Sequence, residues 1–344
     1  MSPRSARVLP DRLVLAAHHA VHVRGPDARQ IGLDPASGMV LEDLSPAIAA
    51  MLDELGPAAV GSSELLERAG ARGAEPADAA AVLSGLLDGG LVCDASGAGR
   101  VERRRAGSVV VVRGDGPLAL GTAAGLAAAG VGAVHVKTAG RIDRSDLAVA
   151  GLVADDVGRD RSAVASALLH RVSPSVRTGS PGRNAPDLVV LADAQARHPD
   201  EGAALVGSAV EHLAVHLRDG RGVVGPLVLP GRSACLGCLD LVRTGLDPGW
   251  PGVVAGLLGR TGTAEQAVIG ATVALAVAQA LLALDGPVTG GPPPPTLGAT
   301  VELDPARASV TTRRWDPHPG CPCGAPPPGD APCGATAGRG TIPG

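Results

Sequence analysis

The sequence predicts an α/β protein in two parts: an N-terminal α+β domain over residues 1–104 and a doubly wound domain over residues 105–324. The 344 residues exceed what one hydrophobic core usually serves. In the second part, apolar runs suited to buried strands alternate with helical patterns, which is typical of a doubly wound sheet. Residues 325–344 are a Gly/Pro/Ala-rich tail that we expect to be disordered.

The composition restricts the possible functions. Apolar residues make up 45% of the chain, but it has no Phe or Tyr and only two Trp, so Ala, Val and Leu must build its cores. A formal net charge of −4 and the near absence of aromatic stacking platforms argue against a nucleic-acid partner. The longest apolar run, residues 268–284, contains Gln279 and falls short of the ~20 residues that span a bilayer. We expect a cytoplasmic protein without a membrane span.

The N-terminal part begins with short alternating runs that predict strands joined by turns, at residues 12–15, 20–24 and 30–33. Helical patterns follow at residues 45–55, 62–69 and 75–87. Ser45 is the expected N-cap of the first helix, and Pro46 lies in its first turn. The paired glycines Gly89 and Gly90 then end the third helix ahead of a short strand.

This order of helices and strand is that of a winged helix. The third predicted helix carries Glu75, Asp78 and Asp88 but neither Arg nor Lys. Because an acidic recognition helix repels DNA, we expect this domain to bind protein. A winged-helix transcription regulator is kept as an alternative, and it predicts salt-dependent DNA binding.

The second part begins after residues 102–105, Glu-Arg-Arg-Arg, which we interpret as a linker. Four runs predict strands, at residues 108–112, 133–136, 187–192 and 222–229. One helical pattern ends at Ala129, and two others cover residues 162–172 and 265–284. Residues 290–295 are a stiff Gly/Pro linker, after which residues 300–303 and 309–312 predict a hairpin.

Four cysteines stand in two short pairs, Cys235 with Cys238 and, after a long insertion, Cys321 with Cys323. In a cytoplasmic chain of this length such pairs favour a metal site over a disulfide framework. Four thiolates suit tetrahedral zinc, and a closed shell of protein ligands leaves no position for water or substrate. The pattern therefore predicts a structural zinc site.

Other interpretations of the cysteines stay open. The second pair is Cys-x-Cys, which is narrower than the usual spacing, so unligated thiols are the simplest alternative. Cys333 in the tail and His318, three residues before Cys321, are possible substitute ligands. We interpret Cys93 as a small buried apolar residue near the end of a strand.

Gly114, Gly116 and Ala119 have the spacing of a dinucleotide-binding turn between a strand and a helix. In such a turn the glycines let the backbone approach a phosphate at the helix N-terminus. Nucleotide binding also asks for an acidic residue at the end of the next strand, to hold the ribose. That strand ends at Val136, and the first carboxylate after it is Asp143, so we expect a degenerate nucleotide loop.

The glycine loop, the strand after it and the paired cysteines together resemble the ThiF-type activating enzymes, which adenylate a carboxyl terminus with ATP and magnesium. The family has two aspartates after its second strand, and the matching positions here are Thr138 and Gly140. Its arginine falls at Val149 and its lysine at Arg161. The resemblance thus implies a ThiF-type fold whose ATP site is lost, with Asp193 as the one position that could answer to a family aspartate.

A closer resemblance is to the bacteriocin-biosynthesis cyclodehydratase subunits, also described as leader-peptide-binding proteins of azole-forming pathways. It rests on four stretches, QIGLDP at 30–35, VGPLVLPG at 224–231, CLGCLDL at 235–241 and HPGCPCG at 318–324. The resemblance implies an N-terminal domain that captures the leader of a ribosomal precursor peptide. It further implies a zinc-bearing domain that presents the peptide to a separate YcaO-type enzyme, which forms azolines using ATP.

By this resemblance, leader binding would use the groove between the third helix and the early strands. The physical mode would be strand addition, in which main-chain hydrogen bonds supply affinity. We expect no catalytic activity from this chain alone, and a homodimer is possible. The rival function is an active ThiF-type adenylyltransferase that acts on a sulfur carrier or a peptide terminus through Asp193 and Arg161.

Two groups of histidines are weaker candidates for metal ligands. His212 and His216 stand four residues apart and could share a helix face, but no third ligand lies near them in sequence. His18, His19 and His22 lie close together on an alternating run, which we interpret as a solvated edge strand.

Overall fold

The computed structural model describes residues 9–34, 38–182 and 185–326. The chain divides into two compact units, Met1–Glu102 and Arg103–Gly344. Each unit has its own hydrophobic core. The predicted functions of the two domains, and the residue at which one gives way to the other, stay predictions.

The first unit contains two small antiparallel sheets and three helices. Its strands are β1 (Arg12–Leu15), β2 (Val21–Gly25), β3 (Ala28–Ile31), β4 (Met39–Leu41), β5 (Val60–Gly61) and β6 (Val92–Asp94). Its helices are α1 (Pro46–Asp53), α2 (Ser62–Ala71) and α3 (Pro76–Asp88). The strand orders are β5-β1-β6 and β2-β3-β4. The predicted helices and early strands are confirmed, whereas the winged-helix arrangement stays a prediction.

Local sequence explains the start of α1. Ser45 is extended, and its hydroxyl accepts a hydrogen bond from the backbone N–H of Ile48 at 3.3 Å. This is the predicted N-cap, which satisfies a donor that the first helical turn leaves unpaired. The buried side chains Met51 and Leu52 then face Leu13 and Leu83 in the core of the unit.

Two predictions for the region after α3 are wrong. The expected linker at residues 102–105 lies inside a helix, α4 (Ala95–Gly107), because its Glu and Arg residues are good helix formers. Arg105 donates to Asp285 at 3.0 Å, which holds the end of this helix. Cys93 is exposed and not buried, since side chains alternate along β6 and the neighbouring Val92 points into the core.

The second unit is built on one seven-stranded mixed sheet. Its strands are β7 (Val109–Arg113), β8 (Ala133–Lys137), β9 (Leu188–Asp193), β10 (His212–Arg218), β11 (Arg221–Val228), β12 (Ala299–Asp304) and β13 (Ser309–Arg314). The order is β13-β12-β11-β10-β9-β7-β8. Strands β8, β7, β9 and β10 are parallel, as the predicted doubly wound pattern requires, and β11 to β13 extend the sheet in antiparallel fashion.

Helices cover both faces of this sheet. They are α5 (Pro117–Ala128), α6 (Arg161–Val172), α7 (Pro199–Gly207), α8 (Leu236–Leu246), α9 (Trp250–Leu257) and α10 (Gln266–Thr289). Helices α5 and α10 pack on one face with the main core, whereas Leu205 of α7 packs on the other face against Val111 and Val189. Sequence patterns had not indicated α7, α8, α9 or β10.

Helix α10 is, within the described ranges, the one helix long and apolar enough to cross a membrane by length and composition. Its inner side lies in the core of the unit, where Ala276 and Ala280 are fully buried. It approaches α5 closely because α5 has glycines at the contact: a Cβ built on Gly125 would lie 2.6 Å from Cγ2 of Val277. The helix predicted over residues 265–284 is confirmed.

Candidate functional site

The four paired cysteines converge on one point of the second unit. The Sγ atoms of Cys235, Cys238, Cys321 and Cys323 all lie within 4.8 Å of one another. The separation is 3.6 Å both for Cys235 to Cys321 and for Cys238 to Cys323, and 3.8 Å for Cys235 to Cys238. Residues more than 80 positions apart in the chain thus form one compact group of sulfur atoms.

Local structure presents the thiols in pairs. Cys235 is the N-cap of α8, and the backbone N–H of Cys238 donates to its carbonyl at 3.0 Å, so the first helical turn places both side chains together. The second pair lies in a tight turn in which the N–H of Cys321 donates to the carbonyl of His318. Trp315 packs against the group and shields it from solvent.

The spacing fits a tetrahedral metal ion. Zinc–sulfur bonds of about 2.3 Å imply sulfur–sulfur edges of about 3.8 Å, close to the distances between the thiols. Burial and the neighbouring thiols raise the pKa of Cys235 well above its usual range, so without a cation the thiol stays neutral. A divalent ion would favour the thiolate by binding it, and the four sulfur donors fit a structural zinc site.

His318 and Cys333 were the two possible substitute ligands for the metal. Nδ1 of His318 accepts a hydrogen bond from the backbone N–H of Gly320 at 3.1 Å, so this ring serves the loop and is not part of the sulfur group. Cys333 lies outside the described residues, as does the predicted disordered tail beyond residue 326. The four sulfur atoms thus have the geometry of a metal site, and zinc binding by them is a proposal.

The predicted nucleotide loop lies at the topological switch point of the sheet. Strand β7 lies between β8 and β9, so the chain moves outward on both sides of it. Ligands of such sheets bind in the crevice at the carboxyl ends of the strands flanking this point. Here Gly114 and Gly116 follow β7, Pro117 begins α5, and Asp193 ends β9.

The side chain of Asp193 occupies the N-terminus of α5. Its carboxylate accepts hydrogen bonds from the backbone N–H groups of Gly116 at 3.0 Å, Leu118 at 2.9 Å and Ala119 at 3.1 Å. A Cβ built on Gly114 or Gly116 would lie 2.5 or 2.7 Å from the carboxylate oxygens. The glycine pattern is therefore explained by the close approach of a carboxylate of the same chain.

The Asp193 carboxylate lies in an environment that disfavours its charge, on a residue with an uncommon backbone conformation. Asp193 is 3% exposed and has a positive φ of 68°, a conformation uncommon outside glycine. Burial raises the pKa of Asp193 to about 6, even though three backbone donors oppose the shift. The donors that would bind a phosphate are consequently occupied by an internal anion.

The side chains at the other positions derived from the resemblance make contacts within the fold. Arg161 is 5% exposed, and it donates to Asp146 at 2.7 Å and to the carbonyl of Ala139 at 2.9 Å. Its positive charge is therefore used within the fold. Val149 belongs to a small apolar cluster, and Thr138 donates to Asp115 at 3.2 Å.

The histidine predictions need correction. His212 and His216 lie on strand β10 and not on a helix. Residues four apart on a strand are separated by about 13 Å, so they cannot share one metal ion. His18 lies in a turn with a left-handed backbone, whereas His22 lies on the edge strand β2, as predicted. Among residues 9–34, 38–182 and 185–326, the cysteine group is the one cluster of metal-ligating side chains found.

One further feature was missed at the level of sequence. A cavity of about 530 Å³ lies beside the cysteine group, between the sheet and helices α7, α8 and α9. Arg243 and Trp250 line it, and the guanidinium of Arg243 lies 4.9 Å from the ring centroid of Trp250 and 5.2 Å from that of Trp315. Trp250 and Trp315 are the two Trp residues of a chain that has no Phe or Tyr. Their rarity is the sequence signal that could have located the site.

No protein-family model and no curated protein matches this sequence. Solved structures do match the fold. E. coli MccB with ATP superimposes with a TM-score of 0.70 at 14% identity, covering 91% of this chain and 100% of that one. The microcin C7 biosynthetic enzyme MccB in complex with N-formylated MccA gives 0.69 at 14% identity, with the same two coverages.

A third match is PaaA, with a TM-score of 0.59 at 15% identity over 86% of this chain and 98% of that one. These matches show that the chain shares its fold with MccB and PaaA. At these identities the likeness establishes the fold alone.

The raised pKa of Asp193 predicts a pH dependence of stability. The folded chain holds this proton to about pH 6, whereas the unfolded chain releases it near pH 4, so the contribution of Asp193 to the free energy of unfolding falls as pH rises between these values. The expected loss is roughly 3 kcal/mol. Urea unfolding between pH 4 and pH 7 should show this loss in wild type relative to Asp193→Asn.

A matched control is Asp219→Asn, which removes an exposed carboxylate from a turn with positive φ, where Asn is well tolerated. Its stability should follow the wild-type pH profile. If the free energy of unfolding of wild type minus that of Asp193→Asn stays constant with pH, or increases as pH rises, the assignment is contradicted.

Proposed function

We propose that this protein is a non-catalytic scaffold that captures the leader of a ribosomal precursor peptide and presents it to a YcaO-type cyclodehydratase for azoline formation. The observation that carries the proposal is the Asp193 carboxylate on the N-terminus of α5. A fold related to MccB, which has been solved with ATP and with its precursor peptide MccA, here has its phosphate-binding donors occupied. Peptide binding is then the activity that the fold retains.

Electrostatics supports the proposal that this chain does no ATP chemistry. Adenylation needs groups that hold magnesium and neutralise a departing pyrophosphate. In this chain the candidate cation Arg161 is paired with Asp146, and the candidate carboxylate Asp193 is paired with the loop itself. A scaffold contributes instead by raising the effective concentration of peptide at a partner enzyme.

Structural zinc fits this role, with Cys235, Cys238, Cys321 and Cys323 as the ligands. An ion with four protein ligands has no free position for catalysis, and it fixes the loop after β13 to the start of α8. Reduced thiols of this kind are maintained in the cytoplasm, where we place the protein. We also infer a homodimer, since none of the residues of α9 is buried in the single chain.

For the leader we propose strand addition along the free edge β4, next to α3. Strand β4 pairs with β3 on one side, so its other side is an edge of the three-stranded sheet. Met39 of β4 lies beside the end of α3, with its terminal methyl 3.3 Å from a Cβ built on Gly89. An extended peptide here would gain main-chain hydrogen bonds from the edge and side-chain contacts from the helix.

Substitution on β4 tests this proposal. Val40 is 43% exposed on β4, and Val23 is 69% exposed on β2, the opposite edge of the same sheet. With a fluorescein-labelled leader of the precursor peptide encoded beside the gene, Val40→Asp should weaken binding about tenfold or more, roughly 1.4 kcal/mol. Fluorescence anisotropy should show Val23→Asp binding like wild type, and equal losses in both variants would contradict docking at β4.

Pyrophosphate exchange separates the scaffold from the adenylyltransferase. Purified protein with ATP, magnesium, labelled pyrophosphate and the same precursor peptide should give no exchange above a protein-free blank, because the phosphate donors are occupied. Exchange that depends on the peptide and disappears in Asp193→Asn would establish the enzyme instead.

Metal analysis tests the zinc site. Wild-type protein should contain about one zinc per chain, and Cys238→Ser should lose it and unfold at lower temperature, because three thiolates and a hydroxyl bind zinc weakly. The control is Cys93→Ser, which removes an exposed thiol outside the group and should keep both metal and stability. Wild-type protein without zinc, or equal metal loss in the two variants, would overturn the assignment.

A further inference from the structure

The cavity beside the cysteine group has a mostly apolar wall and one basic end. Val206, Leu236, Leu239 and Val254 line the apolar part, and Arg243 lies at the basic end. With a volume of about 530 Å³, the cavity is in the size range of sites that enclose a small organic molecule.

Arg243 lacks a hydrogen-bond acceptor among the described residues. Its nearest carboxylate oxygen, on Asp240, lies 4.0 Å away, and that same oxygen accepts the indole N–H of Trp250 at 3.1 Å. The guanidinium instead lies over the rings of Trp250 and Trp315, which favour a cation but satisfy none of its five N–H donors. A half-buried guanidinium in this state fits a planar anion that can accept two hydrogen bonds.

The other charges of the cavity leave Arg243 as its available cation. Burial lowers the pKa of Arg243, and charges of both signs act on it, Asp240 and Glu302 against Arg218 and Arg313. Arg197 also lines the cavity, but it donates to the carbonyl of Ala192 at 2.7 Å and pairs with Glu201. The apolar wall opposite Arg243 disfavours a second negative charge on the ligand, which selects a monocarboxylate over a dicarboxylate or a phosphate.

His216 adds a neutral polar group to the same cavity. Burial, together with the positive charges of Arg218, Arg243 and Arg197, lowers the pKa of His216 to about 3. Its ring has no hydrogen-bond partner within the described part of the chain and, being neutral at pH 7, can donate one hydrogen bond. A carboxylate at Arg243 could therefore be accompanied by a second donor without any added charge.

The walls suit an aliphatic ligand better than a peptide. They come from helices α7, α8 and α9 and from paired strands, whose backbone groups bond within their own elements. In the loop after β9, Gln195 donates to the carbonyl of Arg260 and Ala194 donates to that of Ala192. An extended peptide needs unpaired backbone groups along its path, whereas a hydrocarbon chain needs only apolar contact.

We propose that this cavity binds a small aliphatic monocarboxylate, with its carboxylate on Arg243 and its hydrocarbon chain among the apolar side chains of α7, α8 and α9. The site is separate from the proposed leader-binding edge, so either proposal can fail without the other. The ligand would be a free organic acid of the aliphatic class.

Intrinsic tryptophan fluorescence can test this directly, since both tryptophans of the chain contact Arg243. Zinc-analysed full-length protein is titrated with octanoate, with octanamide, with the dicarboxylate suberate and with the tripeptide Leu-Val-Leu. Octanoate should give a saturable change and bind at least tenfold more tightly than octanamide or suberate. Arg243→Gln should lose that preference for octanoate and still bind octanamide as wild type does, which shows that the cavity is intact.

Arg313→Gln is the matched control. Arg313 also lies over Trp315, at 5.6 Å, but belongs to the exposed strand β13 and is not a lining residue of the cavity. This variant should keep the wild-type affinity for octanoate. The proposal is overturned if octanoate and octanamide bind equally, if Arg313→Gln loses as much affinity as Arg243→Gln, or if the tripeptide with its free terminus binds best.

Discussion

The contact between one carboxylate and the first turn of one helix determines the chemistry of the switch point in the second unit. The N-terminus of α5 directs unpaired N–H groups into the switch-point crevice, and these groups carry partial positive charge. Many α/β proteins leave this position to a phosphate. Here Asp193 supplies the anion from the end of the adjacent strand. Helix α5 and strand β9 are thereby joined at the switch point by hydrogen bonds within the chain.

The cysteine group makes a second long-range connection, between the turn before α8 and the segment after β13. These two segments lie at the antiparallel end of the sheet, away from the crevice where Asp193 lies. One connection is a hydrogen-bonded charge and the other is suited to a coordinated ion. The two connections therefore lie in the parallel and the antiparallel parts of the sheet.

Much of this architecture could be predicted from sequence because it depends on local pattern. Ser45 and Pro46 fix the start of α1, and the apolar run of β9 is fully buried, as its composition indicates. The cysteine spacing likewise predicted the sulfur cluster. Other features depend on contacts distant in sequence. A histidine pair spaced for a helix lies on β10 because that segment pairs with β9 and β11. The Arg-rich run that resembles a linker ends α4, and the partner of Arg105 there is Asp285, 180 residues later in the chain.

The glycine loop shows most clearly what a local sequence pattern cannot predict. Gly114 and Gly116 have the spacing of a phosphate loop, but this spacing indicates only that some group of atoms approaches the backbone closely. What approaches is decided by the residue 77 positions later whose side chain accepts from Gly116. The exposure of Cys93 has a practical consequence as well. A thiol-reactive dye can mark the first unit at this position. If the sulfur cluster holds an ion, its departure would add four sulfhydryls that can react. The number of thiols that react with the dye would then report how much of the protein carries metal.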